Sequence, residues 1–287
     1  MAGTPQDCTF DVDGLRYAGL AWGPEDGVPV LALHGWMDHA ESFAELAPRL
    51  TGCRVVALDL SGQGQSGHRA AHATYNLWDD LPQLVAILDA LGWERAVLLG
   101  HSRGANIAAL MAAAVPERVR GLIALDSLVP EPVEADFVST LSAFVKDTRK
   151  ALGRGARRFE SVETYAARRQ AQGNAEAVAA ALATRALRTV DGGVEMTADN
   201  RMFASSAAKL RAEDVDAVLR AIRCPVLNVW ASEGIISRPK LAEAAKKAPE
   251  LIADYRSESV AGDHHFHMEP RAAEKIAELV AEFARRV

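Results

Sequence analysis

Apolar positions along the chain fall into short, nearly continuous runs separated by longer stretches of helical period. Residues 28–35 (VPVLALHG) predict a buried strand, as do 53–60 (CRVVALDL), 95–102 (RAVLLGHS) and 119–127 (VRGLIALDS). Between them, 40–50 (AESFAELAPRL), 76–92 (NLWDDLPQLVAILDALG) and 103–117 (RGANIAALMAAAVPE) carry apolar residues at helical spacing. Gly92 is placed to end the second helix and Pro116 the third, while Pro82 predicts irregular first turns in the second. Runs with no polar face, joined by helices, predict an α/β fold whose parallel sheet is covered on both sides. The opening CTFDVDGLRYAGLAWG predicts a hairpin turning at Asp13-Gly14, which makes the sheet mixed at one edge.

The alternation stops near residue 130. From 130 to 222 the chain is rich in alanine, arginine and glutamate, with helical stretches, no convincing buried strand, and a loop or short ribbon at 191–201 (DGGVEMTADNR). The strand pattern resumes at 224–233 (CPVLNVWASE) and is followed by a helix at 238–250, a strand region at 251–262 and a closing amphipathic helix at 269–287. The expected organisation is one core domain, 1–129 with 223–287, interrupted by a helical cap at 130–222.

Composition narrows the function classes. A net charge of −6 and a pI near 5.8, with no basic stripe, argue against a nucleic-acid or anionic-membrane binder. The most apolar window, 96–115, contains His101, Ser102, Arg103 and Asn106, so it predicts buried core rather than a membrane span. The N-terminus lacks a basic start followed by an apolar stretch, so no secretory signal is expected. Cys8, Cys53 and Cys224 are few and far apart, which predicts reduced thiols in a cytoplasmic protein and small apolar filler rather than catalytic cysteine.

In open parallel sheets, ligands bind at the carboxyl ends of the strands. Those ends are His34, Asp59, Ser102, Asp126 and Glu233. Gly100-His101-Ser102-Arg103-Gly104 fits G-x-S-x-G with a strand before it and a helix after it. The glycines permit a tight turn, and Ser102 then sits where helix N–H groups favour developing negative charge. A serine that merely caps the helix is the competing reading.

Four segments in this order resemble the α/β-hydrolase superfamily, and most of all its serine hydrolase-like proteins: LALHGWMDHAESF, LDLSGQGQSG, LLGHSRGAN and GDHHFHMEP. The likeness spans nearly the whole chain, with 130–222 matching only as a helical cap. It implies Ser102 as nucleophile and the backbone N–H groups of Trp36 and Arg103 as an oxyanion hole, with His34 structural. It places the base late in the chain. His264, with His267 three residues on, fits that loop, and His265 is the alternative. Activity should fall as this histidine protonates. The usual acid position of the superfamily aligns with Gly234, which has no carboxylate. A minority arrangement, seen in some haloalkane dehalogenase relatives, implies Asp126 instead, and Glu233 is the other candidate.

A substrate pocket is expected from Trp36, Met37, Arg103 and His101. Arg103 would bind a substrate carboxylate if it enters that pocket, although a guanidinium turned away toward a neighbouring acid is the favoured expectation. Asp263, His264, His265 and His267 are dense in ligand atoms, but no second cluster complements them, so neither metal nor cofactor is expected. A serine rather than aspartate nucleophile argues against haloalkane dehalogenase and epoxide hydrolase chemistry. The expected activity is hydrolysis of a small-molecule carboxylic ester or related acyl compound through an acyl-enzyme. Thioesterase, lactonase and carbon–carbon hydrolase chemistry, or non-catalytic ligand binding on the same fold, are the alternatives.

Overall fold

The computed structural model describes residues 3–287. Strands β1 (Gln6–Val12) and β2 (Leu15–Trp22) form the N-terminal hairpin, with Asp13 and Gly14 at φ of +52° and +74° in its turn. Strands β3 (Val28–Leu33) and β4 (Cys53–Leu58) follow, then helix α1 (Leu81–Ala90), β5 (Ala96–His101), α2 (Arg103–Ala114) and β6 (Val119–Leu125). Between β6 and the next core strand lie α3 (Phe137–Leu152), β7 (Arg158–Phe159), α4 (Val162–Gln170), α5 (Glu176–Ala181), β8 (Leu187–Val190), β9 (Gly193–Met196) and α6 (Ala212–Ala221). The chain closes with β10 (Val226–Ala231), α7 (Pro239–Leu251), β11 (Tyr255–Val260) and α8 (Pro270–Ala284).

The main sheet has the order β1-β2-β4-β3-β5-β6-β10-β11. Its β1-β2 and β2-β4 pairs are antiparallel and the others parallel. Successive side chains leave a strand on opposite faces. Leu31, Leu33, Val56, Leu58, Leu98 and Leu122 therefore pack with residues of α1, α2 and α6 on one side. Val30, Ala32, Val55, Ala57, Val97, Leu99 and Ile123 pack with α8 on the other. Burial on both faces is why these strands read as unbroken apolar runs.

Three expectations change. Residues 40–50 form two 3-10 turns, Ala40–Phe43 and Ala47–Arg49, rather than an α-helix. Ala40, Phe43 and Leu46 are all fully buried, and their three-residue spacing is the repeat a 3-10 turn aligns on one side. The segment expected to be helical apart from a loop or short ribbon at 191–201 contains a small antiparallel sheet, β7-β9-β8, with β9 inside that ribbon. The core also resumes before residue 223, because Val215 and Leu219 of α6 are buried in the same cluster as α2 and the sheet.

Salt links fasten the inserted segment over the carboxyl ends of the strands. Asp59, fully buried at the end of β4, accepts from Arg185 (2.9 and 3.1 Å) and from the amides of Ala40 (2.7 Å) and Gln65 (2.8 Å). The Arg201 guanidinium donates to the carbonyls of Arg69, Ala70 and Ala73 and to Asp199. Among the described residues, no helix is long and apolar enough to cross a membrane.

Candidate active site

The β5–α2 corner is built by close approach. A Cβ at Gly104 would lie 1.9 Å from the Leu33 carbonyl oxygen, and one at Gly100 would lie 2.4 Å from the Ala105 Cα. Only glycine lets α2 start this close to β3 and β5. The turn forces Ser102 to φ +52°, ψ −117°, where a non-glycine residue costs about 1–3 kcal/mol. Its N–H donates to the Leu125 carbonyl at the end of β6 (3.0 Å). Met37 and Asp126 also have positive φ, +62° and +44°, so three of the four such non-glycine residues described surround this one region.

The structure brings Ser102, His264 and Asp126 together. The Ser102 hydroxyl lies 2.9 Å from His264 Nε2, and His264 Nδ1 lies 2.6 Å from Asp126 Oδ2. A carboxylate only accepts, so Nδ1 carries the imidazole proton and Nε2 is left to accept from the serine. Asp126 is fully buried and also accepts from the backbone N–H groups of Ala231 (3.1 Å) and Ile235 (3.0 Å). These two bonds clamp the carboxylate between the ends of β6 and β10.

Glu233 is exposed, and its backbone N–H is tied to the Gly262 carbonyl (3.0 Å). The adjacent glycine leaves room for the Asp126 carboxylate. A Cβ at Gly234 would fall 2.2–2.4 Å from the Asp126 carboxyl atoms. Gly234 has φ −89° and ψ −161°, which any residue can adopt. It is therefore the Asp126 side chain, not the backbone, that excludes a larger residue there.

His265, the alternative base, is turned away from Ser102, with its Nε2 3.3 Å from Asp38 Oδ2. His34 is fully buried: its Nε2 accepts from the Leu60 N–H (2.9 Å), so its Nδ1–H donates to the Gly35 carbonyl (2.7 Å). Burial lowers its pKa, so it is held neutral as a brace between the segments after β3 and β4.

Two of the four expected pocket residues do not line the cleft. His101 follows Val97 and Leu99 at two-residue spacing, so its side chain leaves the sheet on the α8 face and is fully buried. There its Nε2–H donates to the His264 carbonyl (2.7 Å), and burial lowers its pKa to about 4. Arg103 sends its guanidinium to the Tyr75 carbonyl (2.8 Å), a backbone acceptor rather than the expected acid. Trp36 and Met37 do face a cleft whose other wall comes from the inserted segment. Sequence reasoning missed that wall, which includes Phe159, Tyr165, Arg168 and Phe203. Its signal was the spacing of Tyr165, Arg168 and Arg169 along one face of α4.

Asp38 was also missed. It is buried between His265, His101 (Nδ1 3.7 Å away) and Arg169, whose Nη2 donates to Oδ1 (3.0 Å). Burial alone would raise its pKa, but His265, His101 and Arg169 together hold it well below the usual carboxylate range. Potential ligand atoms of Asp38, His101 and His265 lie within 4.8 Å of one another. Arg169 already supplies the positive charge that this carboxylate requires.

The profile of the family described as the alpha/beta hydrolase fold matches residues 28–270. The chain belongs to this family. A serine hydrolase-like protein of Danio rerio is 30% identical over 275 residues, covering 92% of this chain and 84% of that one. A serine hydrolase-like protein of Dictyostelium discoideum is 29% identical, covering 91% and 76%. The crystal structure of a hypothetical protein from Pseudomonas aeruginosa PAO1 superimposes with a TM-score of 0.91 at 33% identity, covering 97% of this chain and 99% of that one. A thioesterase domain from the curacin biosynthetic pathway superimposes with a TM-score of 0.82 at 26% identity, covering 97% and 99%. These relatives support a hydrolase on the α/β-hydrolase fold.

Proposed function

We propose that the protein is a serine hydrolase of carboxylic esters or related acyl compounds, thioesters included. The observation that carries this reading is the continuous hydrogen-bonded line from Ser102 Oγ through His264 to Asp126, with both links at 2.9 Å or less. His264 takes the Ser102 proton as Oγ attacks the acyl carbon. Asp126 holds the imidazole in the accepting tautomer and stabilises its charged form.

The oxyanion is held by the backbone N–H groups of Trp36 and Arg103. Arg103 opens α2, so its N–H has no carbonyl one turn back and is available to an anion. His264 then protonates the leaving group. Water, deprotonated by the same histidine, releases the acid from Ser102. In this reading the inserted segment acts as a cap over the strand ends and sets substrate preference.

A fluorophosphonate probe tests the activated serine directly. Wild-type protein is expected to label at Ser102, and His264→Ala to label at least about 100-fold more slowly, the usual scale of a general base. Absence of labelling in the wild type would overturn the reading in favour of a non-catalytic binder.

A further inference from the structure

The cleft beside Trp36 has apolar walls and a cationic end. Trp36 and Phe203 meet edge to face with ring centroids 5.2 Å apart, yet each remains nearly half exposed. Large aromatic surfaces left open inside a concavity are surfaces for a ligand to cover. Met37, Phe159 and Met196 continue the same lining.

Three arginines, Arg157, Arg168 and Arg169, complete the cleft, and no Asp or Glu lines it. Arg169 is committed to Asp38. Arg157 and Arg168 have no carboxylate within 4.0 Å among the described residues, and Arg157 lies over the Phe159 ring, 5.5 Å from its centroid. In a chain with a net charge of −6, two exposed guanidinium groups that line one apolar cleft without a carboxylate partner make a local concentration of positive charge. The cleft shares Trp36 with the proposed oxyanion hole, and Arg169 in its wall binds Asp38, whose other partner His265 follows His264 in the chain.

From this we infer that the preferred substrate carries an oxyanion group at the far end of a short apolar acyl chain, bound by Arg157 and Arg168. The inference rests on the serine hydrolase reading for its chemistry, but binding in the cleft does not depend on turnover. Guanidinium pairs bind carboxylate and sulfonate groups alike, with the apolar walls covering the chain between the two ends.

The test compares 4-nitrophenyl esters of adipic and suberic acid (one carboxyl left free) with neutral fatty-acid esters of equal length, plus a terminal sulfonate analogue. The anionic esters should have a kcat/KM about tenfold higher at low salt, the scale of one charge-assisted contact. The ratio should fall about tenfold in an Arg157→Gln/Arg168→Gln variant and shrink with added salt. Preference for carboxylate over sulfonate, or the reverse, identifies which oxyanion the cleft takes.

Calorimetry on Ser102→Ala with monomethyl adipate and methyl hexanoate separates binding from chemistry. Tighter binding of the anion, lost when both arginines are replaced, sustains the cleft assignment even if no ester is turned over; absence of turnover would then count against the hydrolase reading alone. Hydrolysis of neutral esters with no anionic preference in either assay would overturn the cleft assignment and leave the hydrolase reading in place.

Discussion

Replacing Gly234 by alanine should disable the enzyme through a residue that touches neither serine nor substrate. The added methyl would sit 2.2 Å from Asp126 Oδ1 and 2.3 Å from Oδ2. Ordinary non-bonded contact is about 3.5 Å, so the carboxylate must retreat by more than about 1 Å. It cannot do so and keep its 2.6 Å bond to His264 Nδ1 or the amide bonds that clamp it.

The backbone at 234 is compatible with alanine, and the three atoms nearest the added methyl all belong to the Asp126 carboxyl group. Loss of a triad acid costs on the order of 10⁴-fold in kcat, or about 5 kcal/mol of transition-state stabilisation. Gly234→Ala should approach that loss. In an Asp126→Ala background the space is vacant and the same substitution should be nearly silent. A double-mutant cycle on ester hydrolysis, with thermal melts to confirm folding, therefore predicts strong coupling between the two positions. Equal cost on both backgrounds, or no cost on wild type, would refute the argument that Asp126 occupies the space at 234.

Two further outcomes follow from the buried charges. His39 and His101 are held neutral by burial with pKa values near 4, against 6.5 when free. Between pH 6.5 and 4 the unfolded chain binds the extra protons, so stability should fall as pH drops through that window, by up to about 1.4 kcal/mol per pH unit for each histidine. Urea midpoints at pH 7.5 and 5 measure this, and an unchanged midpoint would contradict it. Arg185→Met strips the buried Asp59 of its cation, and a loss of about 3 kcal/mol in unfolding free energy is expected. A melting temperature equal to wild type would show that the link is dispensable.

The parts of the molecule set by local pattern were legible from the sequence. Strands buried on both faces, the Asp13-Gly14 hairpin and the G-x-S-x-G corner each depend on neighbours close in the chain. What was not legible depends on where distant segments meet. Asp126 and Glu233 are both carboxylates at strand ends, and they are separated only by the three-dimensional fact that the Asp126 side chain fills the space at Gly234. His101 was misplaced for a different reason. Its two-residue spacing from Val97 and Leu99 already put it on the α8 face, but proximity to Ser102 in the sequence suggested the pocket. The cationic wall escaped because composition alone does not place Arg157 and Arg168 against Trp36 and Met37.

The most direct test of the central claim is a kinetic comparison, on one panel of 4-nitrophenyl esters, of wild type, Ser102→Ala, Asp126→Asn and Glu233→Gln. The account predicts turnover by wild type, none by Ser102→Ala, a loss on the order of 10⁴-fold in kcat for Asp126→Asn, and wild-type rates for Glu233→Gln. Full activity in Asp126→Asn, or a crippled Glu233→Gln, would contradict the assignment of Ser102, His264 and Asp126 as the reacting line.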